Sequence, residues 1–141
     1  MCLPRTMLKT GKSAQTYESL AAIAVSVFHE LSAGFTENIY HKGFVFELQA
    51  AGISHETEKV IPINYKQIQV GYVRCDLLIE NNILVEFKSV QNVLPQHLLQ
   101  LERYAAQLDV DKMLLVNFPI HKGKPLEIHA FVKDCFEKIH P

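Results

Sequence analysis

Cysteine is scarce in this chain of 141 residues, and the three present, Cys2, Cys75 and Cys135, are odd in number and far apart. That spacing excludes a disulfide framework or a zinc knuckle and fits a reducing, intracellular setting. A surplus of positive charge is missing too: fourteen lysines and arginines face fifteen acidic residues, a formal charge of −1. A broad, strongly basic surface for many phosphates is therefore not expected, although a local basic cleft is compatible. No apolar run is long enough for a bilayer. The segment 20–28 resembles the core of a signal peptide, but Glu18, His29 and Glu30 flank it, which marks it as a buried helix. Repeats and low-complexity tracts are absent. The apolar share of 48% and charged share of 21% are ordinary for a globular protein, so disorder is not expected and the length suits one domain with a real core.

Along the chain, residues 1–14 lack periodicity and contain Pro4 and Gly11, which reads as a flexible arm before a single domain over 15–141. Leu20, Ile23, Ala24, Val27, Phe28 and Leu31 recur at helical spacing, predicting a helix over 16–31. A second helix is predicted over 36–51, closed by Gly52 in the left-handed conformation. Strand-like runs cover 55–65, 68–79 and 83–90. Pro95 suits the first turn of a helix over 97–108. Strands follow over 113–118 and 126–132, then a short tail with helical tendency. The order is ααβββαββ, an α/β (α+β) arrangement with a central mixed sheet flanked by helices.

The stretch 74–88 carries the chemistry. Two strand-like runs meet at a polar turn, with Asp76 on the first and Glu86 and Lys88, spaced as Glu-x-Lys, on the second. Strict alternation puts Arg74, Asp76 and Leu78 on one face, and Val73, Cys75, Leu77 and Ile79 on the other. Whether the carboxylates meet depends on the turn. A two-residue turn at Asn81-Asn82 would pair Asp76 with Phe87 and leave Glu86 on the wrong side. A three-residue loop, Glu80-Asn81-Asn82, sets Asp76 opposite Glu86. The neighbours are apolar on both faces, and charge in a central strand calls for a partner or a metal. An exposed face of an ordinary hairpin is the plain alternative.

On the third predicted helix His97, Gln100, Leu101 and Tyr104 share a face. Gln100 and Tyr104 could orient Lys88 or meet a phosphate oxygen, and His97 could touch substrate; the alternative is an amphipathic helix with a polar edge. On the second helix Glu37 and Glu47 are ten residues apart, about 15 Å along the axis, too far to share one metal. Glu37, in the first turn, is the stronger candidate, although the helix dipole alone favours a carboxylate there.

These residues together resemble the PD-(D/E)xK nuclease superfamily, and within it the GxxExxY branch. Gly34, Glu37 and Tyr40 match the motif that names the branch. Arg74-Cys75-Asp76-Leu77-Leu78 resembles its Arg-x-Asp-Leu-Leu strand, and Glu86-Phe87-Lys88 its Glu-x-Lys strand. The segment 94–104, with Gln100 and Tyr104, resembles its helix and the Gln-x-x-x-Tyr spacing of RecB-like exonucleases. The resemblance runs over about residues 16–131, and it departs from the superfamily in having Cys75 where a proline often precedes the aspartate. It implies a restriction-endonuclease-like core and a nuclease acting on nucleic acid, DNA first. In that reading Asp76, Glu86 and the Phe87 carbonyl bind Mg²⁺ or Mn²⁺, with Glu37 joining through water. Lys88 positions or activates the attacking water, while Gln100, Tyr104, His97, Arg74 and Tyr40 support the site or bind substrate. Such small nucleases can pair as a homodimer, as junction-resolving endonucleases do, or work within a larger protein partner. The competing classes are a nucleic-acid-binding or assembly module that has lost turnover, and a structural oligomerising domain joined through its first helix.

Overall fold

The computed structural model describes residues 15–133 and 135–139; the predicted arm over 1–14 lies outside the described residues. Its elements run α1 (Tyr17–Leu31), α2 (Glu37–Ala50), β1 (His55–Tyr65), β2 (Ile68–Ile79), β3 (Ile83–Lys88), α3 (Pro95–Leu108), β4 (Lys112–Asn117), β5 (Glu127–Val132) and β6 (Cys135–Ile139). The strands form one six-stranded sheet in the order β1-β2-β3-β4-β5-β6. Every neighbouring pair is antiparallel except β3 and β4, which are parallel and joined by the α3 crossover.

Local chemistry accounts for the boundaries. At the start of α1, Thr16 and Ser19 cap each other, Ser19 N–H donating to Thr16 Oγ1 (3.1 Å) and Thr16 N–H to Ser19 Oγ (2.9 Å). After α2, Gly52 takes φ 70°, and the Ile53 N–H reaches back to the Leu48 carbonyl (2.9 Å). β3 ends at Lys88, two residues earlier than the apolar run suggests. The Asn117 side chain takes both polar groups of Val90, accepting its N–H (2.9 Å) and donating to its carbonyl (3.0 Å), and so draws the chain out of the ladder.

The expected helical tail is instead β6. Five residues are too few for periodicity to separate helix from strand. Pairing with the open edge of β5, from Val132↔Cys135 to Ile128↔Ile139, decides the matter.

Helices cover both faces of the sheet. Against one face α1 and α2 pack Leu20, Ala24, Tyr40, Phe44 and Leu48 onto Leu77, Ile83, Val85, Phe87, Val116 and Phe118. Against the other, α3 packs Leu101 and Ala105 onto Ile61, Cys75, Leu84 and Leu115. Five of the six β3 residues are buried, Lys88 being the exception, as befits a strand with neighbours on both sides and helices on both faces. Among the described residues no helix is long and apolar enough to cross a membrane.

Candidate active site

The hairpin between β2 and β3 has the three-residue loop Glu80-Asn81-Asn82, with Ile79 paired to Ile83 and Leu77 to Val85. Glu80 and Asn81 both adopt φ 52°, the left-handed turn such a loop requires. Continuing this register sets Asp76 across from Glu86. There the regular ladder stops and the two carboxylates brace the strands crosswise. Glu86 Oε1 accepts the Asp76 N–H at 2.7 Å, and Asp76 Oδ2 accepts the Phe87 N–H at 2.8 Å. Each carboxylate thus spends one oxygen on the backbone and keeps its second.

Strict alternation along β2 does not survive this point. Val73 and Cys75 pack with α3, whereas Leu77 and Ile79 pack with α1 and α2, so the apolar side changes layer across Asp76. On β1, Glu58 lies between the partners of Leu77 and Cys75 and has φ 50°. The pairing register is the same on either side of it, so this is a local backbone irregularity facing Asp76 and not an inserted residue. The expectation of one continuous face for Val73, Cys75, Leu77 and Ile79 is corrected accordingly.

β3 keeps its alternation. Val85 and Phe87 face α1 and α2, which turns Glu86 and Lys88 toward α3. There Lys88 Nζ donates to Gln100 Oε1 (3.3 Å), and Gln100 Nε2 donates to the Tyr104 hydroxyl (2.9 Å). The lysine is therefore held by a side-chain relay one helical turn long.

The electrostatics are those of crowded carboxylates. Burial, and then the adjacent Asp76, raise Glu86 to about 8. Burial raises Glu37 as well, with Asp76 adding to the effect and Lys88 opposing it, which puts the start of α2 within electrostatic reach of both. Tyr104 is raised by burial and by Glu86. Cys75 is pushed up to about 12 by burial and by the two carboxylates, so it is a buried thiol and not a nucleophile.

The other sequence candidates have different surroundings. His97 Nδ1 accepts the Leu94 N–H (2.9 Å) and closes the first turn of α3. That bond leaves Nε2 as a donor, so the ring is set to donate a hydrogen bond and not to take a proton. Burial and Lys88 lower its pKa, in keeping with a neutral ring. Arg74 lies on the exposed hairpin, 4.0 Å from Glu58 and over the Tyr72 ring. Glu47 is half-buried toward the far end of α2.

Tyr40 is fully buried and stacked on Phe118, with ring centroids 4.1 Å apart. Its hydroxyl donates to the Ser32 carbonyl (2.6 Å) and accepts the Phe35 N–H (3.1 Å). It offers nothing to substrate; it ties down the loop that carries Glu37. Gly34 serves the same loop with φ 102°, its N–H donating to the Pro119 carbonyl (3.2 Å). Replacing Tyr40 with Phe leaves both backbone groups without their partner. The expected cost is about 1–3 kcal/mol of stability, read as a lower denaturant midpoint at unchanged slope.

Three positioning residues escaped the sequence reading. Ser89 Oγ donates to the Phe35 carbonyl (3.1 Å), fastening the end of β3 to the Glu37 loop. Asn117 holds Val90, and a buried asparagine closing an apolar strand was a legible signal. His41, one turn beyond Glu37, is buried and stacks on Phe87 at 5.2 Å.

Fit to a divalent cation can be tested on the donor set. Among the described residues no group of three or more His, Cys, Asp and Glu is placed to hold a metal. Two carboxylates with an oxygen each to spare, one of them raised to about 8 by burial and then by its neighbour's charge, are nonetheless what a hard cation relieves. Such ions accept main-chain carbonyls and waters for the rest of their shell. The donor set fits a hard divalent ion whose shell is completed by backbone and water.

The sequence model of the PD-(D/E)XK nuclease superfamily matches residues 14–128. The chain belongs to that superfamily. Among solved structures it is similar to the crystal structure of SSO0001, at 22% identity and a TM-score of 0.54 over 83% of this chain. The chain spans 57% of the length of that protein. It is also similar to an alkaline exonuclease (LHK-Exo) from Laribacter hongkongensis, 11% identical, with a TM-score of 0.52 over 86% of this chain and 72% of that one. At these identities the likeness is one of fold, and the fold is the mixed, helix-flanked sheet of a restriction-endonuclease-like core. No curated protein matches the sequence.

Proposed function

We propose that the chain hydrolyses phosphodiester bonds of nucleic acid, DNA in the first instance, with a divalent ion at Asp76 and Glu86. The observation that supports this most directly is the crosswise bracing of those two carboxylates where β2 and β3 part, with Lys88 on the same side of the sheet. Asp76, Glu86 and the Phe87 carbonyl would hold Mg²⁺ or Mn²⁺, and Glu37 would act through water. The bound ion supplies Lewis-acid activation of water and stabilisation of phosphoryl charge. Lys88, oriented by Gln100 and Tyr104, keeps its remaining N–H groups for a phosphate oxygen and clamps the developing charge. The exonuclease likeness supports a nuclease without choosing its polarity. Within the superfamily we assign the chain to the GxxExxY branch, because Gly34 and Tyr40 lock the loop that leads into α2, whose first residue is Glu37.

The test is Mg²⁺- and Mn²⁺-dependent cleavage of labelled single-stranded, double-stranded and branched DNA. The unmodified protein is expected to cut. Asp76→Ala is expected to lose cutting, and Lys88→Ala to lose cutting while still binding DNA. Metal binding without cleavage of any substrate would overturn the assignment and favour a binding module.

A further inference from the structure

Acidic residues are absent from the two segments that include the carboxyl ends of the parallel pair β3 and β4. Residues 88–101 and 113–126 contain no Asp or Glu, where a stretch of that combined length would carry about three at the chain's average. They do contain Lys88, Lys122 and Lys124, with imidazoles at His97 and His121. In a chain with a net charge of −1, these two segments thus carry three lysines and no acidic residue.

The fold brings these segments together. Asn117 bonds both backbone groups of Val90, and the Phe118 N–H donates to the Lys88 carbonyl (2.9 Å). Between them runs a groove of about 210 Å³ whose walls include Val90, Gln91, Asn92, His121 and Lys124. Glu127 also borders it, but its carboxylate accepts from Asn117 Nδ2 (3.1 Å) and lies 3.4 Å from His129 Nε2. Across the β4–β5 loop an open cleft of about 700 Å³ is lined by His29, Ser32, Lys122 and Lys124. Gly123, between the two lysines, has φ 90°, and a Cβ there would meet nothing within 4 Å. The Lys-Gly-Lys turn can therefore approach a polymer backbone closely.

We propose that this groove and the loop 119–125 seat the phosphodiester backbone of the strand flanking the scissile bond, with Lys122 and Lys124 as phosphate contacts. Val90 lines the groove two residues beyond Lys88 in the chain, and the Phe118 N–H bond to the Lys88 carbonyl ties the groove to the strand that carries Glu86 and Lys88. The proposal rests on the nuclease reading and specifies where its substrate lies.

Each phosphate neutralised by a lysine releases counterions, so the loop has a signature in salt dependence. The experiment measures binding of a labelled oligonucleotide, single-stranded and duplex, by fluorescence anisotropy across a salt series, with Ca²⁺ as the divalent ion. The full chain is compared with Lys122→Ala/Lys124→Ala and with Lys112→Ala/Lys133→Ala at the opposite end of the sheet. The loop variant is expected to bind more weakly, with a log–log salt slope shallower by about 1.4–1.8 and an unchanged melting temperature. The opposite-end variant is expected to match the unmodified protein. Equal slopes for the unmodified protein and the loop variant, or equal losses in both variants, would overturn the placement while leaving a cleaving enzyme a nuclease. A protein that binds no oligonucleotide and cleaves none would overturn both.

Discussion

Glu86→Gln is expected to give a protein that is more stable than the unmodified chain in EDTA at pH 8, and unable to cleave. Glutamine keeps the shape and the Oε1 acceptor that the Asp76 N–H uses, and removes only the charge. Burial and the Asp76 charge raise Glu86 from 4.5 to about 8, so the folded, metal-free protein retains a proton that the unfolded chain releases. Stability from this group is complete below about pH 4.5 and is lost as pH rises toward 8. For one proton the slope cannot exceed about 1.4 kcal/mol per pH unit. Divalent-ion protection of the unmodified protein should grow over the same interval, because the ion competes with that proton. In Glu86→Gln the slope flattens and the protection disappears. Cleavage should fall by at least roughly 10²–10³-fold, the scale of losing one electrostatic group from a catalytic site. Denaturant unfolding from pH 5 to 9, with and without Mg²⁺, measures both stability effects. A variant less stable than the unmodified protein at pH 8 would show that burial and the Asp76 charge do not disfavour ionised Glu86 as described.

Phe87→Ala should produce the largest loss of stability. Phe87 is fully buried, and its ring meets Phe44 at 5.1 Å, His41 at 5.2 Å and Phe118 at 6.4 Å. Truncation removes apolar burial and leaves a cavity between the sheet and α2 that the surroundings can only partly fill. A cost of roughly 3–5 kcal/mol is expected, or about 10–20 °C in melting temperature for a domain of this size. Phe46→Ala, in the same helix layer but 66% exposed, should change stability by less than about 0.5 kcal/mol. The contrast matters for the site because Phe87 is the residue between Glu86 and Lys88, and its ring anchors the strand that presents them. A loss below 1 kcal/mol for Phe87→Ala would mean that this core is not packed as described.

Much of this architecture was legible in the chain. The apolar stripe of α1, Gly52 after α2 and Pro95 opening α3 mark helix ends through backbone chemistry that acts over a few residues. The hairpin could be reasoned out further, since period-two geometry calls for an odd-length loop or a bulge to set Asp76 opposite Glu86, and the structure has the three-residue loop Glu80-Asn81-Asn82. The shared side of Glu86 and Lys88 on β3, and the pairing of Gln100 with Tyr104 on α3, were readable in the same way, from strand alternation and helix spacing.

Other features depend on which segments pack together. Five residues at the end of the chain became β6 because β5 offered an open edge, and nothing in their own spacing could report that edge. Tyr40 belonged to a recognisable motif, yet its task is to hold the 32–37 loop through Ser32 and Phe35, a matter of where the turn after α1 places two backbone groups. Glu37 begins α2 in the α1–α2 layer, while Lys88 and Gln100 meet on the α3 side. The change of layer at Asp76 shows the limit most clearly. Alternation assigns a side chain to a face only while the strand stays regular, and the left-handed Glu58 on the neighbouring strand ends that regularity at the residue where the chemistry is placed. Residue types and short-range spacing named the candidate groups; long-range packing decided from which layer of the fold each one comes.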